Sequence, residues 1–124
     1  GEGRNSLRTV KKEGLISRPK SPVNLIHQED CVRVLSLALE KPNVSGLYNL
    51  VTDEHPSREE YYSSVAKAFD CPIPQFDHED TGRGKWVSNE KLKADFGYSF
   101  RYPSPLAFFN KIGYTEEESG AERD

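Results

Sequence analysis

Asn24-Leu25-Ile26-His27-Gln28-Glu29-Asp30 opens a stretch that runs to Gly46-Leu47-Tyr48-Asn49-Leu50, and its reading decides the fold class expected of the chain. Val23 to Ile26 has the apolar, partly β-branched make-up of a short strand. His27 to Asp30 forms a polar corner, where Asp30 or Glu29 places a carboxylate in the first turn of a helix and the macrodipole favours negative charge. From Cys31 to Leu39 the residues Val32, Val34, Leu35, Leu37, Ala38 and Leu39 nearly surround that helix, leaving Arg33 and Ser36 as its polar side, so it needs cover on most faces. Lys41-Pro42-Asn43 stops it, because proline cannot continue the hydrogen-bond ladder. Leu47 to Val51, apolar but for Asn49, then reads as a strand buried on both faces, the pattern of a parallel sheet.

Working outward, Gly1 to Asn5 reads as a turn and Ser6 to Glu13 as a short helix that Gly14 ends. Leu15 to Pro22, with Arg18, Lys20 and two prolines, fits an exposed, mobile loop. On the other side, Ser57-Arg58-Glu59-Glu60 is a capping box for a helix to Phe69, with Tyr61, Val65, Ala66 and Phe69 facing inward. Cys71 to Pro74 is extended and Asp77 to Arg83 is a polar turn. Trp86 and Val87 make a brief strand, and Ser88 or Asn89 caps a helix through Leu92 and Phe96 that Gly97 closes. Tyr98 to Tyr102 alternates aromatic and polar residues, Pro105 to Ile112 has the spacing of a last helix, and Glu116 to Asp124 is acidic and disordered in isolation. The expectation is an α/β fold with short, mainly parallel strands and about four or five helices, as one domain over residues 1–114 with an acidic tail over 115–124.

The 124 residues carry a net charge of -3, so there is no electrostatic footprint for nucleic acid or an anionic membrane. No apolar run approaches the roughly 20 residues that span a bilayer, and no signal peptide is recognisable, which points to a cytoplasmic protein. Hydrophobic residues are 35% against 30% charged, an apolar content low enough to leave the core incomplete. Cys31 and Cys71 lack a CxxC or zinc-finger setting and read as reduced thiols. Methionine is absent even from position 1, which fits a processed start and a chain cut from a longer protein equally well.

Catalytic patterns fail one after another. Thr81-Gly82-Arg83-Gly84-Lys85 resembles a P-loop, but Trp86 stands at the Ser/Thr position and Glu79 where the first glycine must be, so it reads as a polar loop. His78 between Asp77 and Glu79 reads as part of a solvated loop, since adjacent side chains point in different directions. His27 and Asp30 read as a structural corner rather than a catalytic pair. His55 sits in a loop with no evident partner. No Gly-x-Ser-x-Gly elbow exists. The aromatic set Tyr98, Phe100, Tyr102, Phe108 and Phe109 reads as packing in preference to a binding surface.

The order of Gly1-Glu2-Gly3-Arg4, Asn24 to Asp30, Tyr48-Asn49, Ser88-Asn89-Glu90-Lys91-Leu92 to Gly97, and Tyr102-Pro103 resembles the C-terminal part of extended or atypical short-chain dehydrogenases, the NAD-dependent epimerase/dehydratase family. The resemblance implies a substrate-side portion whose glycine-rich dinucleotide fingerprint and Tyr-x-x-x-Lys pair lie upstream of Gly1. Tyr61 and Tyr62 are followed at that spacing by Val65 and Ala66, so the chain carries no general acid/base pair of that kind and is not expected to be catalytic alone. No cofactor is expected for this chain, and NAD or NADP for the parent family. Where many relatives carry a phosphate-facing arginine before the corner, Pro22-Val23-Asn24 stands here; Arg83 and Lys85 become the residues to test near a substrate phosphate. The implied partner is the missing N-terminal nucleotide-binding portion. The alternative is a stand-alone binding module that covers its exposed strand by self-association as a homodimer.

Overall fold

Four α-helices, α1 Glu2–Lys11, α2 Gln28–Glu40, α3 Arg58–Ala68 and α4 Glu90–Phe96, and one 3-10 turn over Pro105–Ala107 make up the regular structure of the computed structural model, which describes residues 2–41, 44 and 46–109. The helix at α3 forms for local reasons. Ser57 Oγ accepts from Glu60 N at 3.1 Å while Glu60 Oε1 accepts from Ser57 N at 3.0 Å, the reciprocal capping box. The remaining first-turn donors go to the preceding loop: Arg58 N donates to Ser21 O at 2.8 Å and Glu59 N to Pro19 O at 3.0 Å. Residues 15–22 are therefore built into the structure, with Ile16, Pro19 and Ser21 buried, and are not the exposed loop expected. At the N-terminus the helix begins at Glu2, where a turn is expected from the glycines.

The expected parallel sheet does not form among the described residues. Among the described residues there is no strand, only two isolated bridges, parallel between Ile16 and Phe76 and antiparallel between Pro22 and Ser57. The extended segments exist, but side chains occupy the places that neighbouring strands would take. Residues 23–26 give only two backbone bonds to 52–56, Val23 N to Pro56 O and Thr52 N to Leu25 O, while the Asn24 amide bonds the backbone of Lys85 and Val87. Leu47 is 92% exposed and Asn49 is also exposed, so residues 47–51 are not a strand buried on both faces. Trp86 and Val87 likewise lie outside any ladder.

Two apolar clusters hold the helices together. One joins Val10 of α1, Tyr61, Val65 and Ala66 of α3, Val23, Phe108 and Phe109. The other joins Val34 of α2, Leu92 and Phe96 of α4, Tyr98 and Phe100. Of the aromatic set, all but Tyr102 are buried, as packing requires. Gly97 ends α4 at φ 60°, with its N–H on Lys93 O at 2.8 Å; this left-handed position is one where glycine avoids a Cβ clash. Of the helix expected over 105–112, the described part is the 3-10 turn. Its end, the acidic tail at 115–124, and the stop at Pro42 and Asn43 lie outside the described residues. Both cysteines are free thiols. Among the described residues no helix is long and apolar enough to cross a membrane.

Candidate functional site

The corner at the start of α2 is where distant parts of the chain meet. His27 is the N-cap: its Nδ1 accepts from Glu29 N at 3.1 Å. Its ring stacks on Tyr102, with centroids 3.8 Å apart and planes 15° apart, and meets the edge of Phe108. Asp30, one turn on, does not act as a cap. It is fully buried, and its carboxylate accepts from Tyr98 Oη at 2.5 Å, Arg101 N at 2.8 Å and Tyr102 N at 2.9 Å. Three donors around one buried carboxylate satisfy it and fix the course of residues 98–102. Tyr102 thus joins the two corner residues, by its ring to His27 and by its backbone to Asp30. Outside, Arg101 Nη1 pairs with Glu29 Oε1 at 3.2 Å.

Burial, then the hydrogen bond to Asp30 and its charge, push the Tyr98 hydroxyl up to about 12 against a small opposing effect of Arg33. The folded state holds this proton more tightly than the unfolded chain does. Its stabilising effect is fully present below pH 10, the ordinary tyrosine value, and is lost as pH rises toward 12. Urea unfolding should therefore show a midpoint that falls between pH 10 and 12, an effect that Tyr98→Phe removes.

The second structured feature is the strap over residues 82–87. Ser21 Oγ accepts from Gly84 N at 2.7 Å, and Asn24 grips the next residues from both sides, Nδ2 to Lys85 O at 2.7 Å and Oδ1 from Val87 N at 3.1 Å. Arg83 and Lys85 sit on this strap, both exposed, and neither side chain makes a hydrogen bond or ion pair among the described residues. The structure brings them to one segment, away from the His27 and Asp30 corner in its bonding. The clamps Ser21 and Asn24 carry no local sequence signal, since their partners lie 61 and 63 residues away. Asn24→Ala should cost about 1–2 kcal/mol and speed amide exchange at Val87 more than at the α3 amides.

Beside the strap, Trp86 is 61% exposed and stands against His55, whose Nδ1 lies 3.1 Å from Val23 O. Asn89 Nδ2 and Lys93 Nζ both reach Asp53 Oδ1 at 2.9 Å. Burial pushes the Asp53 carboxyl up, but these hydrogen bonds, with the charges of Lys93 and His55, outweigh it and hold the group below the usual carboxylate range. His78 bonds Glu59 of α3 at 3.1 Å. Among the described residues no group of three His, Cys, Asp or Glu is placed to hold a metal.

The sequence demands cover for most of α2, and the described chain supplies it on one side. Only Asp30 and Val34 of the helix are buried. Val32 and Leu35 are each 55% exposed and Leu39 86%, at a spacing that aligns them in one apolar stripe.

No protein-family model matches the chain. It is similar to Protein YeeZ of Escherichia coli K12, with 33% identity over 85 residues, or 68% of this chain and 31% of YeeZ; YeeZ of strain O157:H7 gives the same figures. Among solved structures it is similar to a functionally unknown conserved protein from Silicibacter pomeroyi DSS, with a TM-score of 0.67 and 25% identity over 87% of this chain and 43% of that one. The chain therefore spans 31% of the length of the curated relatives it matches and less than half of the solved one.

Proposed function

We propose that the chain is the substrate-side portion of a cytoplasmic, NAD(P)-dependent sugar-nucleotide epimerase/dehydratase-like protein, not catalytic by itself, whose nucleotide-binding lobe packs on α2. The observation that carries this reading is the exposed stripe Val32, Leu35 and Leu39 on a helix whose opposite side is anchored by buried Asp30 and Val34. The greater length of the relatives supports it, because each has chain left over to supply such a lobe. NAD or NADP belongs to that lobe in this reading. Arg83 and Lys85, held on the strap by Ser21 and Asn24, face the substrate phosphates.

Calorimetric titration of NADH into the 124-residue chain is the test. A flat titration is expected, and saturable micromolar binding would overturn the assignment of the cofactor to another lobe.

The same stripe, together with Leu47 at 92% exposure, also favours a self-associating module derived from such an enzyme. Sedimentation at about 100 μM separates the two readings, at a concentration where even a dimer of micromolar affinity is mostly formed. A monomer counts against the module; a dimer lost on substituting Leu35 and Leu39 counts for it.

A further inference from the structure

Between α1, residues 22–25 and the start of α3 lies a cavity of about 480 Å³, in the size range of small-molecule sites. Ser6, Thr9, Asn24, Leu25, Arg58 and Tyr62 are among its lining. Among the described residues Arg58 is the only charged one in the lining, and the guanidinium is fixed before any ligand arrives. Nε donates to Ser17 O at 3.0 Å, and Cζ lies 5.4 Å from the centroid of the Tyr62 ring. Its backbone N–H is tied to Ser21 O. The two terminal amino groups make no hydrogen bond or ion pair among the described residues. A guanidinium presents its donors as a planar fork that matches a carboxylate bidentately, and a side chain already held on two sides loses little freedom when it binds one.

We propose that this cavity is a binding site for a small organic monocarboxylate, its carboxylate on the free edge of Arg58 and its apolar body against Tyr62, Val23 and Leu25. The one positive charge among the described lining residues suits a single negative charge. The mixed polar and apolar lining suits a ligand with both a charged end and a hydrocarbon body. The lining residues named all belong to this chain, and the proposal does not rest on the nucleotide-binding reading.

The experiment is a titration of the 124-residue chain with sodium benzoate at constant ionic strength, followed by ¹H–¹⁵N spectra that include the Arg58 Nε–Hε signal. Saturable shifts at Arg58, Tyr62 and Asn24 are expected. Arg58→Gln should weaken binding about tenfold or more, as loss of a charge-assisted bidentate pair requires, whereas Lys67→Gln, an equal charge change elsewhere on α3, leaves it unchanged. Benzamide, the same size without the charge, should bind the unsubstituted chain at least about tenfold more weakly. That comparison needs no variant to fold. Shifts that do not saturate, equal binding of benzamide and benzoate, equal binding by Arg58→Gln, or inorganic phosphate binding more tightly than benzoate would each overturn the proposal.

Discussion

Asp30→Ala is expected to lower the stability of the chain by about 3 kcal/mol, a large part of the roughly 5–15 kcal/mol that holds a domain folded. The carboxylate is fully buried and accepts from Tyr98 Oη and from the backbone N–H groups of Arg101 and Tyr102. Alanine leaves three donors without an acceptor, two of them backbone groups that have no rotamer to move to water. Asp30→Asn keeps the volume but turns one oxygen into a donor facing a donor, so it should recover little. Tyr98→Phe removes one donor and leaves the others satisfied, and should cost only about 1 kcal/mol. The loss in Asp30→Ala should appear in urea unfolding and in faster amide exchange at Arg101 and Tyr102. A cost below about 1 kcal/mol would show that the corner does not fix residues 98–102.

The second large effect lies on the opposite side of α2. The triple variant Val32→Gln, Leu35→Gln and Leu39→Gln should leave the stability of the chain alone within about 0.5 kcal/mol, because exposed apolar side chains contribute little and glutamine suits a helix. Against a lobe that covers the stripe, the same change should remove roughly 3–6 kcal/mol of association, from partial burial of three side chains worth about 1.5–3 kcal/mol each when fully buried. A neutral effect on stability and a large effect on association are hard to obtain from any residue with a purely structural role. If the triple variant unfolds the isolated chain, the stripe belongs to this chain's own core and not to an interface.

Elements governed by local chemistry were legible in the sequence. The Ser57 and Glu60 capping box and the Gly97 end of α4 depend on residues within one turn, and the structure forms them there. The strands were not legible. An apolar extended segment reads the same whether its backbone pairs with a neighbouring strand or is held by a side-chain amide, and Asn24 and Asn49 take the second course. Residues 47–51 show the difficulty most clearly, because a continuous apolar run implies burial that Leu47 does not have. The His27 to Asp30 corner could be located from sequence, but the partners of Asp30 lie 68–72 residues away and nothing local points to them. Arg58 was visible only as part of a cap. Its place in a cavity depends on α1 packing against α3.

The most direct measurement is sedimentation velocity of this chain mixed with the part of Escherichia coli YeeZ outside the 31% it matches. Expected is a one-to-one complex with the unsubstituted chain that the Val32, Leu35 and Leu39 triple variant does not form. Two separately sedimenting species with the unsubstituted chain, or a complex that the triple variant forms equally well, would contradict the assignment of α2 as the face on which a nucleotide-binding lobe docks.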